Sequence, residues 1–312
     1  MINKLFNCKQ MKILKTLIVI LLILTVSCKS ETKEPITKHN IEVQGHRGDR
    51  GNFPENSIEG FLSALHKGAN VLELDLIISK DNQVVVSHEP YMSSLYMSKP
   101  SGEPILKSEE KNYNLYQMTY DSIKTFDGGS RGNQNFPNQK KIKTYKPLLS
   151  EVFDVIEKEI KEQKLPSVKY NIEIKSIAEV YGIYQPPQPD IFVDLVMQII
   201  QEKQMEDKVN IQSFDTTPLN VLHQKYPKIE IAYLVSKGSI QSNLNQLDFK
   251  PQIYGANFKL IENKTTVDSL RDLNIKLIPW TVNNEEDIKR MIELQVDGII
   301  TDYPERVLNL LD

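Results

Sequence analysis

The chain has 312 residues, 40% hydrophobic and 25% charged, with a formal net charge of −3. That balance suits a globular protein with one large core and gives no case for nucleic-acid binding. The only long apolar run lies near the start, so no later segment is a membrane-span candidate.

The N-terminus reads as a targeting signal. Lys12 and Lys15 precede an apolar run from Thr16 to Val26, which is short for a spanning helix. The run ends Leu24-Thr25-Val26-Ser27-Cys28. A small residue followed by Cys28 resembles a bacterial lipoprotein cleavage site, although Thr25 replaces the usual Leu. The expectation is a lipoprotein signal over residues 1–28, lipidation at Cys28, and a protein anchored in the cell envelope. An ordinary signal peptide or an uncleaved anchor is the alternative, and Met11 is an alternative start. Cys8 is the only other cysteine, so a chain cut at Cys28 has no internal disulfide. Residues 29–40 are polar and charged and read as a tether.

From residue 41 short strand-like runs alternate with amphipathic stretches. Strands are predicted at 41–45, 71–77, 170–175, 209–213, 230–235, 253–257, 276–282 and 298–301. Helices are predicted at 58–67, 149–163, 191–205, 218–225, 266–273 and 284–294, with a weaker one at 239–247 and a short one after Pro304. Asn56 and Ser57 stand where they can cap the first helix. Eight strands with helices between them predict a closed parallel (β/α)8 TIM barrel. An open doubly wound sheet is the alternative, but no Gly-x-Gly-x-x-Gly turn follows the first strand. Residues 89–147 break the alternation and form an insertion after the second strand. A second long loop, 178–189, carries Tyr181, Tyr184 and three prolines.

The chemistry concentrates between His46 and His88. In a strand, residues two apart share a face. Glu73 and Asp75 therefore share one face of the second strand, with Leu72, Leu74 and Leu76 on the other. Asn171, Glu173 and Lys175 repeat the pattern on the third strand. Burying such acids without a partner costs several kcal/mol each, on the order of the effective penalty for buried ions. A hard divalent cation is the simplest partner for Glu73, Asp75 and Glu173. A solvated edge strand, or a Glu173–Lys175 pair, is the competing reading. Arg47 and Lys175 suit phosphate charge.

The ordered set His46-Arg47-Gly48, Pro54-Glu55-Asn56-Ser57, Glu73-x-Asp75 and His88 resembles the glycerophosphodiester phosphodiesterase family. Gln212-Ser213-Phe214-Asp215, Trp280-Thr281-Val282-Asn283 and 297–304 resemble later strand ends of that family. The resemblance covers residues 41–312 apart from the two long loops and implies the barrel fold for that region. It also implies catalytic His46 and His88, phosphate-binding Arg47 and Lys175, and a Ca²⁺ or Mg²⁺ site at Glu73, Asp75 and Glu173. The implied reaction is hydrolysis of a glycerophosphodiester to glycerol 3-phosphate and an alcohol through a cyclic phosphate. Which histidine is the first base stays open. Trp280 is a substrate contact or a core residue, and Asp302 reads as a helix cap. Glu89 stands where the family usually has Asp. Activity on lysophospholipids, or binding of phosphodiesters without turnover, are the alternative functions.

Overall fold

The structure, a computed structural model, describes residues 41–311. The signal segment, Cys28 and the tether lie outside the described residues. The strands are β1 (Glu42–Gly45), β2 (Val71–Ile78), β3 (Val84–Val86), β4 (Lys169–Ile174), β5 (Val209–Ser213), β6 (Glu230–Val235), β7 (Ile253–Ala256), β8 (Lys276–Leu277) and β9 (Gly298–Thr301). The α-helices are α1 (Ile58–Lys67), α2 (Tyr120–Ile123), α3 (Leu149–Gln163), α4 (Pro189–Glu202), α5 (Thr216–Lys225), α6 (Ile240–Leu244), α7 (Lys264–Asp272), α8 (Glu285–Glu293) and α9 (Pro304–Leu311).

All strands except β3 form one parallel sheet in the order β8-β7-β6-β5-β4-β2-β1-β9. Backbone hydrogen bonds from Asp297 N to Leu277 O, Ile300 N to Pro279 O and Val282 N to Ile300 O carry the sheet from β8 round to β9. The sheet therefore closes on itself as the predicted TIM barrel. The seventh predicted strand, 276–282, is regular strand only at Lys276–Leu277. Pro279 has no N–H to give to a ladder, although hydrogen bonding to the β7 side continues from Trp280 N to Ala256 O.

The two faces of each strand do different work. Leu72, Leu74, Leu76, Ile172, Ile174 and Ile211 are fully buried in the main core, together with helix residues such as Phe61, Phe153 and Phe192. Each such side chain contributes roughly 1.5–3 kcal/mol relative to exposure. The other face fills the lumen. Asn171 donates to Gln44 at 2.8 Å and Asn210 donates to Asn171 at 2.6 Å, a chain of amides that satisfies itself. Ala232, Ile253, Ile278 and Ile300 make a small apolar layer beside them.

α1 begins where expected. The Ser57 hydroxyl accepts from Gly60 N at 3.0 Å, a cap contributing about 1 kcal/mol. Asn56 does not cap; its side chain reaches Asp75 instead. α1 ends at Gly68, whose φ of 96° is easy only for glycine.

The insertion is not a bare loop. β3 pairs antiparallel with β2, and Ile77, Val85, Met92, Tyr96, Met97, Ile105, Leu115, Ile123 and Phe126 form a separate small core. The segment then folds back over the β1–α1 turn: Gln139 Nε2 donates to Arg50 O, and Lys140 N donates to Asn52 O. The loop 178–189 meets it through Asn114 Nδ2 to Ile183 O and an edge contact of Tyr91 with Tyr184.

Candidate active site

The turn after β1 builds the first half of the site. Arg47 and Gly48 adopt positive φ values of 53° and 87°. A Cβ on Gly48 would lie 2.6 Å from Gly60 C, so only glycine lets the turn lie against α1. The turn aims Arg47 N at Glu73 Oε2, 2.8 Å away. It also buries the Arg47 guanidinium, whose Nη1 donates to Glu55 Oε1 at 2.7 Å. Arg50 donates to the other oxygen of Glu55 at 2.9 Å. Burial would raise the Glu55 carboxyl, but the two guanidiniums offset it and hold it below its ordinary value. One carboxylate therefore orients two arginines.

The sheet register builds the acidic half. Asp75 and Glu173 are direct neighbours on β2 and β4. With Glu73 they offer oxygens that all lie within 4.8 Å of one another. Burial, then Asp75 and Glu173, push the Glu73 carboxyl well above its usual range. Glu173 is also raised, by burial first, although Lys175 Nζ sits 2.8 Å from its Oε1. Glu173 thus belongs both to the ion pair and to the three-acid cluster. Asp75 is held low: burial opposes this, but Arg47, His88 and Lys175 outweigh it. Its Oδ2 accepts from Asn56 at 2.8 Å, while its Oδ1 is buried with no hydrogen-bond partner. A buried carboxylate oxygen with no hydrogen bond, only Lys175 Nζ at 3.8 Å, in an all-oxygen set of three acids, fits a hard divalent cation.

Each histidine is tied at one nitrogen. His46 Nδ1 lies 2.6 Å from Asp302 Oδ1, and the other oxygen of Asp302 accepts from Asn283 at 2.7 Å. The carboxylate assigns the proton to Nδ1 and leaves Nε2 able to accept one. Burial lowers the His46 pKa, and Asp302 opposes that. The carboxyl of Asp302 is itself held at about 2, because His46 and Arg50 outweigh its burial. His88 Nδ1 lies 3.1 Å from Glu89 Oε1. The longer side chain at residue 89 still reaches its histidine. Its second oxygen accepts from Tyr96 OH at 2.8 Å, and Lys146 Nζ bonds Ser87 at 2.8 Å and Tyr96 at 3.4 Å. The insertion therefore supplies the supports behind His88.

These groups meet at a cavity of about 270 Å³ lined by His46, Arg47, Arg50, Glu73, His88, Glu173, Lys175, Gln212, Phe214 and Trp280, among others. Every sequence-predicted site residue within the described range is on this cavity or, for Asp75, touches Arg47 and Lys175, which are. Trp280 packs into the barrel and also lines the cavity. Its indole donates to Gly255 O at 2.8 Å and packs on the lumen layer, and its ring meets Phe214 edge-on at 5.3 Å. The cap reading of Asp302 is corrected: its carboxylate is taken up by His46 and Asn283. Arg50, Glu55, Asn283, Tyr96 and Lys146 were not legible as site residues, although Glu55 and Asn283 lie within quoted motifs.

The glycerophosphoryl diester phosphodiesterase family model matches residues 46–306. The chain belongs to this family. It is accordingly an enzyme. A glycerophosphodiester phosphodiesterase of Caldanaerobacter subterraneus subsp. tengcongensis is 32% identical over 270 residues, covering 86% of this chain and 97% of the relative. A candidate glycerophosphoryl diester phosphodiesterase of known structure from Silicibacter pomeroyi is 27% identical, with TM-score 0.77 over 87% of this chain and 93% of that one. A phosphodiesterase from Oleispira antarctica, solved with the product sn-glycerol-3-phosphate, shares the fold at 20% identity and TM-score 0.68, covering 87% of this chain and 96% of that one.

Proposed function

We propose that this enzyme hydrolyses glycerophosphodiesters to glycerol 3-phosphate and an alcohol. The observation that carries the reading is the pairing, at one cavity, of two histidines whose Nδ1 atoms face carboxylates with a three-acid cluster and Lys175. Family membership and the relatives' names support the substrate class. A Ca²⁺ or Mg²⁺ ion held by Glu73, Asp75 and Glu173 would add positive charge against the phosphate.

The protein's own groups do the proton work. The glycerol hydroxyl next to the phosphate attacks phosphorus, and its proton passes to His46 Nε2. Burial keeps His46 neutral enough to accept it. The bond from phosphorus to the alcohol oxygen breaks, and His88 gives that oxygen a proton. Water then opens the cyclic phosphate with the roles reversed: His88 takes the water's proton and His46 protonates the glycerol oxygen. Arg47 and Lys175 balance charge on the phosphate oxygens. An intramolecular hydroxyl is already positioned, which contributes several kcal/mol to lowering the barrier. A 2-deoxy diester should therefore bind and react at least about 10³-fold more slowly, as steady-state assays would register. Cleavage near the parent rate would mean direct attack by water.

Asp302 gives a pH test. It raises the His46 pKa against the lowering by burial. His46 as a base works in its neutral form, so activity falls as pH drops through its folded pKa. Asp302→Asn should lower that pKa further and move the acid limb of kcat/KM to lower pH. The rate should also fall by about 10²-fold through lost orientation. An acid limb that stays put or moves up would contradict the assignment of His46.

The proposed address is the cell envelope, with lipid on Cys28. The motive is the charged-then-apolar order before that residue. Cys28→Ser should move the protein from the detergent to the aqueous phase on phase separation; unchanged partition would refute the anchor. The test of the activity is incubation of the enzyme with glycerophosphocholine, glycerophosphoethanolamine and a lysophospholipid, with and without divalent metal, assaying glycerol 3-phosphate or its acylated form. Exposed Phe214 on the cavity and Ile183 on the adjoining loop favour including the lysophospholipid.

A further inference from the structure

A second cavity, about 420 Å³, lies wholly within the insertion. Its walls include Arg131, Lys141, Asn133, Leu95 and Phe136 and, among the described residues, no acidic side chain. That contrasts with the catalytic cavity, where Arg47, Arg50 and Lys175 each have a carboxylate partner. Arg131 makes one hydrogen bond, from Nη2 to Ser94 O, and its Nε is buried with no acceptor. Burial lowers its pKa with no neighbouring charge to offset it. Glu110, bonded to Ser94, is already neutralised by Lys107. Lys141 is held by the turn beside it. Gly132 has φ 77°, and a Cβ there would meet Lys141 Cε at 3.1 Å, so the stem of Lys141 packs on bare backbone. Two cations thus line a space with no carboxylate on its walls among the described residues, and a guanidinium fork with an ammonium suits an oxyanion.

The position of this cavity points to its ligand. Arg50 lines the catalytic cavity, and its guanidinium stacks 4.5 Å from the centroid of Phe136, which lines the second one. Gln139, also on the second cavity, holds the backbone of Arg50. The linings of the two cavities are thus in direct contact through Arg50 and Phe136. We propose that the insertion cavity is a subsite for an anionic group, a phosphate or carboxylate, carried on the alcohol side of the diester. This rests on the proposed diesterase activity and adds to it a reason for the insertion to select substrates.

The test compares glycerophosphoethanolamine with a glycerophosphoinositol phosphate, whose alcohol carries a second phosphate. In Arg131→Gln and Lys141→Gln, KM for the anionic diester should rise about tenfold or more, the worth of one charge-assisted contact, with kcat held. KM for the ethanolamine diester should stay within twofold. Lys141 is exposed, so its variant tests the idea even if Arg131→Gln fails to fold. Charge reversal in Lys141→Glu should enlarge the difference. Equal effects on both substrates, or none on either, would overturn the subsite. If the wild type cleaves no diester at all, the proposed activity fails instead. Calorimetry with inorganic phosphate in saturating glycerol 3-phosphate then judges the cavity by itself. Binding lost in Lys141→Gln supports an anion site there, and absence of binding to wild type overturns it. Phosphate binding without the KM effect likewise overturns the assignment to substrate and marks a free-anion site.

Discussion

Replacing His88 with alanine should lower kcat by roughly 10²–10⁴-fold, the usual worth of general acid–base catalysis, with the fold retained. The side chain is partly exposed at the cavity and carries no core packing, so thermal unfolding should shift little. Its Nδ1 is fixed by Glu89, and Glu89 is fixed in turn by Tyr96. Burial opposes the charge on Glu89, but the hydrogen bond and charge of His88 offset that and hold the carboxyl low. Removing His88 therefore strips Glu89 of its largest stabilising partner, and the carboxyl should titrate at higher pH in the variant. A His88→Ala enzyme that keeps near wild-type kcat at its optimum would remove His88 from the mechanism.

Chelation should abolish turnover, and Glu73→Gln should cost about 10²–10³-fold in kcat/KM even with excess Ca²⁺ or Mg²⁺. The sign of the stability change is the sharper part. Without a cation, burial and two neighbouring acids raise the Glu73 carboxyl well above its ordinary value. Glutamine keeps the shape and removes the like charge. Metal-free Glu73→Gln should thus be at least as stable as metal-free wild type near neutral pH. Added metal should then raise the Tm of wild type, by mass action on the folded state, and leave the variant nearly unchanged. Full activity of Glu73→Gln in excess EDTA would refute the metal site.

The barrel and its acids were legible because burial imposes a period on them. Glu73, Asp75 and Glu173 alternate with leucines and isoleucines that must face the helices, so the other face had to be lumen. Asp302 was not legible for the same reason in reverse. One Asp before Tyr303-Pro304 has the local form of a helix start, and its partner His46 is 256 residues away in sequence. Only the pairing of β9 with β1, Thr301 beside Gly45, brings the two together. Ring closure is a property of the whole sheet, and no single segment encodes it. The insertion hid its structure differently. Met92, Tyr96, Met97, Ile105 and Leu115 follow neither a strand nor a helix period, yet they form a core. Tyr96 and Lys146, which support His88, come from that unperiodic stretch.

Phosphorus-31 NMR of glycerophosphoethanolamine turned over by the enzyme tests the central claim most directly, because it reads which bond to phosphorus breaks. The expected course is loss of the diester resonance and growth of the glycerol 3-phosphate monoester, with free ethanolamine and no phosphoethanolamine. A phosphoethanolamine resonance, or a diester resonance that persists with metal present, would contradict the account.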